Sequence, residues 1–273
     1  MTIDGSTTRT DTSPSVVNVY VLSLILSACS LLYELLIAQT LTLIAGNMVI
    51  WYSLTVGTYL AAMGVGAIIY GSPDRSRDWN RLFRVEIMLC LIGATAVLFL
   101  NFAHSTYLLF EGVPATERIA NIAFFGFTFV LTFLIGILTG MELPLLIHLG
   151  NFLAGEKNVT NRVLGWDYIG ALAGGFLFPL YLVPFLELHT IGFLIAALNL
   201  TVAVYILWRF LPGTPGWLFK TAGSVAFGVM LGVGFFKGPA IEQFFLKKYY
   251  YYPESFVSLH DLIDSMPGMP RVF

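Results

Sequence analysis

From Val16 to Ala45 the chain carries a single formal charge, Glu34, in a stretch otherwise built of apolar and small residues. A run of this length and character has few structural options. In hydrocarbon every backbone N–H and C=O must be bonded within the segment or within a closed barrel, and about twenty apolar residues are what a helix needs to cross. Comparable runs recur along the chain. With the first at about 17–43, the others fall at about 48–70, 86–109, 119–148, 164–186, 190–209 and 217–236. The fold class expected is therefore all-α: a polytopic membrane helical bundle of about seven transmembrane helices. Composition agrees, with 57% hydrophobic and 11% charged residues, where a soluble domain carries about a quarter charged. Residues 1–15 read as a polar N-terminal tail, 16–236 as the transmembrane domain, and 237–273 as an interfacial aromatic tail or a linker toward a further C-terminal domain.

Two local patterns invite misreading. Leu26-Ser27-Ala28-Cys29 fits a lipoprotein cleavage site, but the chain stays apolar beyond the cysteine, so an uncleaved first span is expected. Cys29 and Cys90 both lie in apolar runs and read as buried thiols, not as a disulfide framework or a zinc site. The net charge of −2 argues against a nucleic-acid partner.

Orientation follows from the cations. SPDRSRDWNRLFR, read as a loop, carries Arg75, Arg77, Arg81 and Arg84; Lys157 and Arg162 follow the fourth span, and Arg209 and Lys220 lie between the sixth and seventh. The opposite set of loops holds only Arg118. The positive-inside rule then places the N-terminus in the cytoplasm, the protein in the cell (inner) membrane, and the tail from Lys237 outside. Trp51, Trp166 and Trp217 fall near span ends, as an aromatic belt requires.

Glycine pairs at Gly136/Gly140, Gly170/Gly174 and Gly228/Gly232 put two small residues on one helix face and favour close packing. ELLIAQTLTLIAGN after Tyr33 echoes ELPLLIHLGN after Met141. The first and fourth spans run in opposite directions, so the echo is compatible with an inverted repeat, although a match this short also arises by chance.

Acids inside apolar spans are the candidate functional groups, because a charge at bilayer depth is costly to keep. Glu34, Glu142 and Asp167 qualify, with Tyr33, Tyr59 and Tyr168 as hydrogen-bond donors and His104, His148 and Asn199 as further polar groups. Pro144, just after Glu142, frees a backbone carbonyl near Gly140. The ligand-binding set expected is Glu34, Tyr33, Glu142 and Asp167, as counter-charges to a cation. A structural alternative stands beside it: neutral acids bonded to nearby carbonyls, with Asp167 serving the dipole of its own helix. Glu86, two residues after Arg84, reads as an interfacial charge. The tail KKYYYYPESF reads as a headgroup-level segment. No HExxH, CxxC, GxSxG or phosphate-cradling glycine loop occurs, so no metal ligand set and no catalytic residue is assigned.

Three segments carry a family resemblance. SLLYELLIAQTLTLIAGNMVIWYSLTVGTYLAAMGVGA resembles the first two spans of membrane-bound spermidine synthases. GILTGMELPLLI is similar to their fourth span, and RVLGWDYIGALAGGFLFPLYLVPFLELHTIGFLIAALN to their Asp-Tyr-Ile-Gly-Ala-Leu segment. The resemblance covers most of residues 20–205. It implies a membrane domain joined to a soluble aminopropyltransferase, which would move an aminopropyl group from decarboxylated S-adenosylmethionine to putrescine. The catalytic residues of that soluble part have no counterpart here, so this chain looks like the membrane part alone, with decarboxylated S-adenosylmethionine a co-substrate only where the soluble domain is present. The partners implied are the lipid bilayer, a polyamine, and a second copy or a soluble synthase domain. Charge rule and resemblance pull apart at the seventh run, since seven crossings put a following domain outside; a re-entrant seventh run would reconcile them. A standalone polyamine or small-cation transporter, and a structural subunit of a larger membrane complex, are the competing readings.

Overall fold

The computed structural model describes residues 16–46, 48–71, 75–108, 114–154 and 159–250. The expected tail 1–15, Lys157 and residues 251–273 lie outside them. Every regular element among the described residues is helical: α1 (Val16–Ala45), α2 (Met48–Ile69), α3 (Arg75–Leu108), α4 (Pro114–Ala154), α5 (Val159–Leu177), the three-residue turn α6 (Val183–Phe185), α7 (Leu188–Phe210) and α8 (Trp217–Tyr250). Seven of these segments are long and apolar enough to cross a membrane.

Three boundaries differ from the sequence reading, each for a physical reason. SPDRSRDWNRLFR is not a loop: from Arg75 onward it forms the first turns of α3. Arginine is a good helix former, and Leu82, Phe83 and Val85 in this stretch are buried, which anchors it. In the fifth segment, Pro179 cannot donate to the carbonyl four residues back. The helix widens there into a π-turn, Phe178–Leu182, in which the Val183 N–H donates to the Phe178 carbonyl. Finally, α8 continues to Tyr250, so the start of the expected tail is helical.

Two close seams organise the bundle. On α5, a Cβ at Gly170 would fall inside the Leu24 carbonyl, and one at Gly174 would meet Ala28, both on α1. On α2 and α4, a Cβ at Gly66 would collide with the Ile137 backbone, one at Gly140 with the Met63 backbone, and one at Gly136 with Ala62. Only glycine permits such backbone approach. α3 packs along α7 and touches both α1 and α4, whereas α7 touches α1. α8 lies against α7, its Gly228, Gly234 and Gly238 facing Leu200, Phe193 and Thr190 in turn. It therefore runs antiparallel to α7 from Gly228 to Gly238. Only 11% of its apolar window is covered by protein, against 61% for α1. Trp51 is not a belt residue: it is buried, stacked on Phe125 with ring centroids 5.0 Å apart. Trp166 remains exposed.

Candidate functional site: a buried carboxylate cluster

α1 contributes the wall of the site. Ser23, Ser27, Ser30, Tyr33 and Glu34 are all buried, although they sit in a helix made almost wholly of apolar residues. The serines are bonded outward to their neighbours. Ser23 Oγ donates to the Val163 carbonyl at 3.1 Å and Ser27 Oγ to the Asp167 carbonyl at 2.6 Å. Tyr59 on α2 donates its hydroxyl to the Ser30 carbonyl at 2.9 Å. Tyr33 donates to the Leu89 carbonyl at 3.4 Å, not to an acid, and its ring fills the space over Gly93.

The acids gather around these two tyrosines. Glu34 is 7% exposed and Glu142 5%. Glu34 and Glu142 both lie within Coulombic range of Tyr59, and Glu142 within range of Asp167. The three acids expected from the sequence thus reach one region from α1, α4 and α5. Asp167 is only half-buried, at the margin. Tyr168 points away and is 68% exposed, so it donates to none of them.

Glu86 corrects the sequence reading. It is not interfacial: its exposure is 0%, neither carboxylate oxygen has a hydrogen-bond partner, and it lies within Coulombic range of Glu142, Cys29 and Tyr33. The signal was present in the spacing. Leu82, Glu86, Leu89 and Cys90 share one helical face, and all four are buried. Proximity in sequence to Arg84 misled, since Arg84 is exposed on the other side of α3. No hydrogen bond among the described residues reaches the carboxylates of Glu34 or Glu142 either. Ser27 sits level with Asp167, and Glu34 lies two helical turns along α1 from Ser27. The acids therefore form a ladder about 10 Å tall.

A second polar centre lies at the arginine-rich end. The Asp78 side chain, 0% exposed, accepts from the Tyr70 hydroxyl at 3.0 Å, from Arg81 Nη1 at 3.2 Å, and pairs with His148 Nδ1 at 2.6 Å. It ties the end of α2, the start of α3 and the end of α4 together. Burial, followed by the Asp78 carboxylate that accepts its proton, pushes the Tyr70 phenol above the ordinary tyrosine range. Between α2 and α4 beside this knot lies a cavity of about 560 Å³ that reaches Gly140, Pro144 and His148; its lining does not include Glu142. His104 stacks edge-on against Phe124, and Asn199 is buried on α7; neither joins the acids. Among the described residues no three of His, Cys, Asp and Glu are placed to hold a metal ion.

A protein from Leptospira interrogans is 35% identical to this chain over 192 residues, covering 69% of the chain and 35% of the relative. One from Oceanobacillus iheyensis is 32% identical over 236 residues, or 86% of the chain and 44% of the relative. One from Ralstonia nicotianae is 33% identical over 206 residues, or 73% and 37%. All three relatives carry the name polyamine aminopropyltransferase. This chain is their homologue. It spans roughly a third to under a half of the length of each. No protein-family model matches the chain. No solved structure matches it.

Proposed function

We propose that this chain is the membrane-embedded part of a spermidine-synthase-like protein, and that its buried acids receive a polyamine. The observation that carries this reading is a group of buried acids, Glu34, Glu86 and Glu142, whose carboxylates meet no hydrogen-bond donor among the described residues. Glu86 has both oxygens buried and unpaired, and a buried polar group left unpaired costs about 1–3 kcal/mol. An ammonium guest supplies both the hydrogen-bond donors and the counter-charge that such acids need. A ladder about 10 Å tall suits a linear molecule whose amines are separated by short methylene runs. The names of the relatives supply the same ligand class independently.

The bundle sits in the cell membrane with the arginine-rich end, Arg77, Arg81, Arg84 and Lys220, toward the cytoplasm. It anchors an aminopropyltransferase partner domain, which transfers an aminopropyl group from decarboxylated S-adenosylmethionine to putrescine. The measurement is equilibrium binding of radiolabelled spermidine to the purified chain in nanodiscs. Saturable binding that is lost in the Glu86→Gln/Glu142→Gln double variant supports the reading. No saturable binding by the unaltered chain refutes it.

A further inference from the structure

The helix packing obeys an exchange. Swapping α1 with α4, α2 with α5 and α3 with α7 turns the α1–α5 seam into the α2–α4 seam, and the α1–α2 contact into the α4–α5 contact. The α1–α4 and α3–α7 pairs map onto themselves. Of the seven helices long enough to cross a membrane, only α8 has no counterpart. The sequence follows the same exchange. With Glu34 laid on Glu142, Ala28 falls on Gly136; the same shift lays Ala62 on Gly170, Gly66 on Gly174 and Tyr59 on Asp167. The contacts agree to within a helical turn. Gly174 sits on Ala28, while Gly66 sits on Ile137, next to Gly136; Gly170 sits on Leu24, while Ala62 sits on Gly136. Each unit holds three crossings, so the second is inverted relative to the first.

We propose that the chain is an inverted repeat of two three-helix units that carries a cationic amine across the bilayer by exchanging their packing about Glu34 and Glu142. The class of cargo rests on the polyamine reading above. Two pairs of interfaces break the exchange: α3 packs on α1 where α7 makes no comparable interface with α4, and α3 packs more extensively on α4 than α7 does on α1. The Asp78 knot, holding Tyr70 and His148, closes α2, α3 and α4 at that place. At the exchange-related place, Glu187 and Thr190 meet within a single turn of α7 at 3.4 Å. The structure is thus one-sided. In the opposite state α7 closes on α1, α3 loosens from α4, and the bond between Asp78 and His148 parts.

The test uses the full chain in sealed proteoliposomes loaded with unlabelled spermidine, with radiolabelled spermidine outside. The unaltered chain is expected to accumulate label by exchange. Because their sites are equivalent, Glu34→Gln and Glu142→Gln each lower that exchange by a similar factor, about tenfold. A Phe99→Cys/Phe127→Cys pair, at rings 6.4 Å apart on α3 and α4, is bridged with a reducible bifunctional thiol reagent; the native Cys29 and Cys90 are buried. Bridging stops exchange, reduction restores it, and spermidine binding in detergent is unchanged throughout. Binding without exchange in the unaltered chain overturns transport and leaves the polyamine site standing. Absence of binding overturns the polyamine site, and with it the cargo. Exchange that persists through the bridge overturns alternating packing.

Discussion

Replacing Glu86 with methionine separates a structural acid from a functional one. Its side chain is fully enclosed, and neither oxygen meets a donor. An enclosed polar group without partners destabilises the fold by about 1–3 kcal/mol, more if charged. Methionine has similar length, is apolar, and adapts to irregular space. Glu86→Met removes the penalty and keeps the packing against its buried neighbours Leu82, Leu89 and Cys90. At about 2–4 °C per kcal/mol for a chain of this size, the ligand-free protein gains about 2–12 °C in Tm. The assay is thermal unfolding in detergent, followed by intrinsic fluorescence, with and without spermidine. Spermidine at a hundred times its Kd adds about 2.7 kcal/mol to the unaltered protein, and the variant shows no such shift. A rise without ligand together with loss of the ligand response is the signature of an acid kept for binding. A Tm below that of the unaltered protein would refute the reasoning, because it would mean the carboxyl makes a bond that holds the fold.

Other consequences are testable in parallel. Gly170→Leu places side-chain atoms in the Leu24 backbone and prevents folding to a monodisperse bundle by size-exclusion chromatography, whereas Gly165→Leu, with open space around it, is tolerated. Asp78→Ala destabilises by about 2–3 kcal/mol, below the range for a fully enclosed pair, because Arg81 and His148 remain 28% and 27% exposed; chemical denaturation measures it. The folded pKa of Tyr70 is raised, so its contribution is fully present below the ordinary tyrosine value near pH 10 and is lost as pH rises through the higher folded value. Alkaline unfolding curves therefore fall above about pH 10, and Tyr70→Phe flattens that limb. An alkaline phosphatase fusion after Gly238 is active outside the cytoplasm, and one after Phe210 is inactive, if the arginine-rich end faces the cytoplasm.

The helical segments are legible because long apolar runs mark where helices form, and seven of them are long and apolar enough to cross a membrane. Charge was less informative. Arg75 to Arg84 suggests a loop because cations favour solvent, yet an amphipathic helix start carries arginines on one side and Leu82 and Glu86 on the other. The acids of α1, α4 and α5 stood out because each is isolated in apolar sequence. Glu86 did not, since its burial depends on which face α3 turns to α1, and that is settled by Tyr33 lying over Gly93. The Asp78 knot was equally hidden. It joins residues from three helices whose ends come together only after the seams have formed.

The seams and the acids are one construction. Glu34, Glu86, Glu142 and Asp167 come from four different helices, so their meeting depends on interhelical spacing and on no local feature of any helix. That spacing is set by glycines: Gly170 and Gly174 bring Asp167 level with Ser27, and Gly136 and Gly140 bring Glu142 under Tyr59. A passive anchor needs close seams no more than it needs buried acids, since lipid-facing leucines would hold a helix in place at lower cost. Glu34 and Asp167 lie on the two helices of the α1–α5 seam and Glu142 on α4 of the other seam, while Glu86 comes from α3 outside both. A one-carbon widening such as Gly174→Ala, whose new Cβ would lie 2.9 Å from the Ala28 backbone carbonyl oxygen, closer than packed atoms tolerate, forces α5 away from α1 by a fraction of an ångström. It should weaken spermidine binding before it measurably lowers Tm, because charge placement is more sensitive to that displacement than apolar packing is. A loss of stability with binding intact would uncouple the seams from the acids and return the glycines to a purely structural role.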